Sequence, residues 1–143
     1  WTAAADSDET VADAAIEELA RMAATESIAA LLRLASGRRL REKAIVHISR
    51  LGQAHLGLIK GGLSSPQLET RRAVVEALGR MKHPEASEAL SGALDDDRPE
   101  VRLAALLALR RLGSHVSEKR LWSMAHSDPD PGVREAARQA LQR

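Results

Sequence analysis

The chain has 143 residues, a formal charge of +1, no cysteine, no Phe and no Tyr. The absence of cysteine excludes disulfides, thiolate nucleophiles and cysteine-ligated metals. The near-neutral charge gives no overall attraction to nucleic acid or to a membrane. The core must consist of Leu, Ile, Val, Met and Ala, and this composition favours helices. The absence of cysteine does not determine the cellular compartment, and we expect the cytoplasm.

No targeting or membrane segment is visible in the chain. No apolar run approaches the roughly 18 residues that a membrane span requires, and no signal peptide is apparent. The chain begins at Trp1 without a methionine. We therefore expect a piece of a longer protein or a processed mature form.

The pattern predicts nine helices joined by short connections. A polar, disordered lead covers residues 1–8, and Ser7 or Asp8 caps the first helix. In chain order the helices are expected at about 9–23, 26–36, 39–51, 53–62, 66–81 and 84–95, then from the Asp95–Pro99 turn to Leu112, at about 115–127, and from 131 to the end. Glycine is expected to end helices at Gly37, Gly52 and Gly113, and proline to begin them at Pro66 and Pro84.

One short pattern occurs five times. Its clearest copy is Val101-Arg102-x-x-Ala105-x-x-x-Leu109-x-x-Leu112, and the copies begin at 11, 40, 70, 101 and 133, in steps of 29, 30, 31 and 32 residues. The first copy has Ala12 where the others have arginine. A repeat of this length is one supersecondary unit that stacks on its neighbours.

The helices therefore alternate between A helices, which carry the pattern, and B helices. The B helices have their own register, with apolar pairs one turn apart at Ala30/Leu34, Ile59/Leu63, Leu90/Leu94 and Leu121/Ala125. We expect a single domain over 9–143, with repeats at about 9–37, 38–65, 66–97, 98–130 and a partial repeat at 131–143.

Two segments identify a family resemblance. Ser127-Asp-Pro-Asp-Pro-Gly-Val-Arg-Glu-Ala-Ala-Arg-Gln-Ala-Leu141 resembles the short HEAT repeat of the phycobilisome-lyase-like type, and Asp97–Leu109 is similar to it. The resemblance covers 9–143 and implies an all-α fold, a right-handed α-solenoid with one continuous core. It says little about activity, because the family includes scaffolds, lyase partners and a few enzymes.

The recurrent arginines form one column along the stack: Arg41, Arg71, Arg102 and Arg134. One interpretation is a basic stripe for phosphates or acidic partners. We favour a structural ladder, because carboxylates that suit a guanidinium fork stand in the inter-helix loops. Asp97 stands five residues before Arg102 and close in register to Arg71, so it is expected to bind one of the two, and Asp128 and Asp130 are expected to bind Arg102 and Arg134. Arg41 has no acid in the matching loop, where Ser64 and Ser65 stand.

No pattern of catalytic or metal-binding residues emerges. The HEAT-like di-iron hydroxylases use His-Glu dipeptides, and none occurs here. No His-x-x-x-His or Glu-x-x-His lies on one helix either. His47 stands in the column of Ala77, Ala108 and Ala140, which favours a half-buried histidine. We predict no cofactor, no metal and no catalysis.

The predicted function is protein–protein recognition on a concave surface formed by the B helices. Trp122 is the main candidate, because its column otherwise holds Ser91 and Lys60 and because Trp is enriched at interface hot spots. The alternative is that Trp122 packs on the last helix or on a following repeat. The complete predicted surface is Leu56, Lys60, Ser87, Glu88, Ser91, Lys119, Trp122 and His126. Alternative functions are a nucleic-acid-binding module and a regulatory or lyase-type subunit of an enzyme. The oligomeric state stays open.

Overall fold

The computed structural model describes residues 11, 13–16, 18 and 24–142. The predicted lead, its caps and Ala12 lie outside these residues. Residues 13–16 are helical. The helices that follow are α1 (Ala24–Ala35), α2 (Arg41–Lys60), α3 (Leu68–Leu78), α4 (Pro84–Ala93), α5 (Pro99–Leu112), α6 (Glu118–Ser127) and α7 (Pro131–Leu141), with a 3₁₀ turn at Gly61–Ser64 after α2. No strand occurs in the described part, and the fold is an all-α solenoid.

Prolines and short polar side chains determine where several helices begin. Pro84, Pro99 and Pro131 each occupy the first turn of a helix, where the missing N–H of proline is no loss. Asp130 caps α7, since its Oδ1 accepts the Val133 N–H at 3.0 Å. The helix α3 begins at Leu68 rather than at Pro66, and α6 begins at Glu118, three residues later than predicted.

The bend between the two halves of α2 lies at His55 and not at Gly52, where we predicted a break. His55 has φ −132° and ψ 38°, outside the helical region, and separates an A segment from a B segment. Gly52 is instead buried within the helix. A Cβ at Gly52 would collide with the side chains of Met81 and Ile59. The glycine therefore permits close packing instead of ending the helix.

A continuous apolar core runs between the two layers of helices. The A layer consists of residues 41–54 of α2 together with α3, α5 and α7, and the B layer consists of α1, the end of α2, α4 and α6. The predicted A positions Val101, Ala105 and Leu109 are fully buried, and Ile59 and Leu90 of the B register are buried with them. Both periodicities found in the sequence therefore face the same core.

The two layers differ in how closely their helices approach. The A helix α3 packs directly on α5, and α5 packs on α7, whereas α4 and α6 of the B layer scarcely touch. In a curved stack the more closely packed layer lies on the inside of the curve. The A helices therefore form the concave side, and the B surface predicted to be concave lies on the outer side.

Candidate functional site

The arginine column forms a chain of hydrogen bonds from one repeat to the next. Arg102 makes a bidentate contact with Asp128, which lies in the turn before α7, with Nε to Oδ2 at 2.9 Å and Nη2 to Oδ1 at 2.8 Å. Its Nη1 also donates to the backbone oxygens of Asp96 and Asp97 at 2.9 and 3.2 Å. Arg102 thus joins the turn before its own helix to the turn before the next A helix, α7.

Arg71 makes the equivalent contact one repeat earlier. Its Nη1 donates to Asp96 Oδ1 at 2.8 Å and to Asp97 Oδ1 at 2.6 Å. Asp97 was predicted to bind either Arg71 or Arg102, and Asp96, the less exposed of the two carboxylates, was missed. Because the backbone oxygens of both aspartates accept from Arg102, this turn links α3 and α5, the A helices of two successive repeats.

The first and last arginines of the column use other partners. Arg41 Nη2 donates to Glu76 Oε1 on α3 at 2.7 Å, so a helix supplies the acid that the matching loop lacks. Arg134 Nη1 donates to the backbone oxygens of Asp128 and Pro129 at 2.7 and 3.0 Å. Asp130 was expected, together with Asp128, to bind Arg102 and Arg134, but its carboxylate instead caps α7.

Trp122 lies on the outer B layer and is the most exposed of the large apolar side chains described, at 56%. The His126 ring stacks on it, with the two ring centroids 4.5 Å apart and the planes at 13°. The His126 Nδ1 lies 2.9 Å from the Trp122 backbone oxygen. A carbonyl only accepts, so Nδ1 carries the hydrogen and Nε2 is left toward solvent.

The other residues predicted for this surface differ in their exposure to solvent. Glu88, Ser91 and Lys119 are exposed, whereas Lys60 and Ser87 are half-buried. Leu56 is 8% exposed and belongs to the core, so its place in a binding surface is wrong. Leu56 lies one residue after the bend at His55, at the start of the B segment of α2.

A groove on the concave side was missed by the sequence analysis. It lies between α3 and α5, has a volume of about 340 Å³, and is lined by Arg72, Glu76, Arg80, Glu100, Leu103, Ala104, Leu107, Ala108 and Arg111. Leu107 is 48% exposed there. The repeat alignment could have revealed this groove, because Leu103 and Leu107 are apolar where the neighbouring repeats are polar. The residues aligned with Leu103 are Arg72 and Glu135, and those aligned with Leu107 are Glu76 and Gln139.

Comparison with known proteins agrees with this architecture. The family described as HEAT repeats matches residues 56–142, which is more than half of the chain. The chain belongs to the HEAT-repeat family. A search of curated proteins finds no match to it. The HEAT assignment accounts for the paired layers and the recurrent arginine, while the particular residues on each surface belong to this chain.

In the part of the HEAT stack that the structure describes, no three His, Asp or Glu side chains are arranged so that they could hold a metal ion. His83 is engaged at the start of α4, where its Nδ1 accepts the Glu85 N–H at 3.2 Å. His47 is half-buried. None of the described helices has the length and apolar character needed to cross a membrane.

Acid should weaken the HEAT stack through Asp128. Burial raises the pKa of this carboxyl. The hydrogen bonds from Arg102 and from the Asp130 N–H lower the pKa by more than burial raises it, so the pKa lies below the ordinary 3.8. A carboxyl with a lowered pKa stabilises the folded state above the unfolded pKa, and this contribution is lost as the pH falls through the folded value.

The stability that Asp128 contributes should therefore be constant near neutrality and decline below about pH 5. We expect the difference in urea midpoint between the wild type and Asp128→Asn to narrow between about pH 5 and about pH 2. A difference that stays constant over this range would show that the carboxylate charge is not what Arg102 requires.

Proposed function

We propose that this HEAT-repeat chain is a non-catalytic scaffold for protein recognition, with Trp122 as an anchor for a partner. The observation that carries the proposal is the exposure of Trp122 on α6, stacked on His126. An indole ring offers a large apolar surface and a single N–H donor, and Trp is the residue type most enriched at binding hot spots. Burial of this exposed apolar surface under a partner would favour binding.

The charges of the repeat support protein recognition over nucleic-acid recognition. The nucleic-acid alternative relied on the recurrent arginines, and Arg71 and Arg102 are bound to carboxylates while Arg134 is bound to backbone oxygens. A guanidinium held in this way has few donors left for a phosphate. The phycobilisome-lyase-like subtype, and with it a lyase-type subunit, stays a prediction.

The test is quantitative affinity capture with the immobilised chain and its Trp122→Ala variant. A partner that uses Trp122 should be captured at least about tenfold less by the variant, as is typical of a hot-spot tryptophan. Leu58→Ala is the matched control, since Leu58 is an apolar B-layer residue of similar exposure, 42%. Helical circular dichroism should be the same for all three proteins. Equal capture by the wild type and Trp122→Ala would remove Trp122 from the binding surface.

A further inference from the structure

The groove between α3 and α5 has an apolar floor. Leu103 and Leu107 are four residues apart on α5, so they follow one another along the helix by about 6 Å. Ala104 and Ala108 lie beside them and leave space above the floor. A stripe with this spacing matches the apolar face of a second helix laid along the groove.

Of the charged side chains that line the groove, all except Arg111 form an ion pair within the described part of the chain. Arg80 binds Glu42 at 2.7 Å, Glu76 binds Arg41 at 2.7 Å, and Arg72 binds Glu69 at 3.2 Å.

Glu100 lies 3.6 Å from the guanidinium of Arg98. In the part of the chain that the structure describes, Arg111 is exposed and forms no ion pair. Arg111 continues the stripe of Leu103 and Leu107 by one more turn, and Arg80 occupies the same repeat position on α3. The groove therefore has an apolar middle and a basic end, where Arg111 has no ion-pair partner among the described residues.

We propose that this groove docks an amphipathic helix of a partner protein that presents two apolar side chains one turn apart and a carboxylate one turn beyond them. The apolar pair would cover Leu103 and Leu107, and the carboxylate would bind Arg111. The volume of about 340 Å³ suits a few anchoring side chains and not a folded domain. The inference rests on the proposed recognition function, but it does not involve Trp122, which lies on the opposite layer.

The probe is a fluorescein-labelled helical peptide with leucines at i and i+4 and glutamates at i−4 and i+8, so that either direction of docking places a carboxylate near Arg111. A twin peptide carries lysine in place of both glutamates. Fluorescence anisotropy should show the acidic peptide binding at least about tenfold more tightly than its twin, because the like charge of lysine and Arg111 opposes docking. A smaller preference at high salt is expected from screening of the ion pair.

Two variants test the two halves of the groove. Leu107→Ser and Arg111→Glu should each weaken binding of the acidic peptide at least about tenfold. Leu58→Ser and Arg33→Glu are the matched controls, since both positions are exposed on helices of the opposite layer. They should change the affinity less than about twofold. Circular dichroism of every variant verifies the fold.

Several outcomes would overturn the groove proposal. These are no binding of the acidic peptide, equal binding of the lysine twin, or affinity unchanged by Leu107→Ser and Arg111→Glu. Binding lost in Trp122→Ala but kept in Leu107→Ser would place the peptide on the outer surface, which would leave the proposed function intact. Light scattering that shows a dimer abolished by Leu107→Ser would make a second copy the occupant. A DNA duplex that binds the wild type but not Arg111→Glu would replace the partner helix with nucleic acid.

Discussion

Replacing Asp128 with alanine is expected to lower the free energy of unfolding by about 2–4 kcal/mol, because it breaks a nearly buried ion pair and leaves a guanidinium without its partner. The Asp128 side chain is 7% exposed and that of Arg102 is 12% exposed. The substitution removes two hydrogen bonds from Arg102 and one from the Asp130 N–H. The backbone oxygen that binds Arg134 remains. Urea denaturation followed by circular dichroism measures the change.

Two controls separate the ion pair from other effects at this turn. Asp130→Ala removes only the cap of α7 and should cost about 1 kcal/mol. The double variant Arg102→Met/Asp128→Leu removes both charges together, and it should be more stable than Asp128→Ala because no charge is left unpaired. If Asp128→Ala proved no more costly than Asp130→Ala, the ladder would contribute little to the stack.

Replacing Gly79 with alanine is expected to destabilise the protein by about 1–3 kcal/mol, the usual cost of overpacking a close contact. A Cβ at Gly79 would lie 2.8 Å from the Cβ of Ala108 on α5 and 3.5 Å from its Cα. Neither atom can rotate away, so α3 and α5 would have to separate. Chemical denaturation measures the loss of stability, and hydrogen exchange in α3 and α5 should report it locally.

Gly92→Ala is the matched control, and it is expected to stabilise the protein rather than destabilise it. Gly92 lies within α4, and a Cβ there would meet nothing within 4 Å. Alanine should stabilise this helix by up to about 1 kcal/mol, since it restricts the unfolded chain and favours the helix. A neutral Gly79→Ala would mean that the approach of α3 to α5 is not tight, and that the groove walls are not held by this contact.

The core positions could be predicted because they depend on a local period. Side chains three and four residues apart share one face of a helix, so Val101, Ala105 and Leu109 mark the buried face without knowledge of any neighbour. All three are fully buried. Pro84, Pro99 and Pro131 at helix starts are equally local, because their effect depends on the backbone of one turn.

The candidate sites were predicted less completely, because they depend on contacts between repeats. The register related Trp122 to Ser91 and Lys60, and Trp122 is indeed exposed. The same comparison, applied to the A helices, would have shown Leu107 as an apolar side chain between Glu76 and Gln139. Leu56 was misplaced: it is 8% exposed and lies one residue after a bend at His55 that no glycine or proline marks.

The sequence by itself determined that this protein is a stack of helix pairs, since a recurring pattern about 30 residues long cannot bury its apolar faces except against its own neighbours. Only the tertiary structure decided which layer lies inside the curve and where the charges find partners. The pairing of Arg41 with Glu76 and the near contact of Gly79 with Ala108 depend on the spacing between helices. That spacing is set by the side chains of two helices together, so neither helix alone contains it.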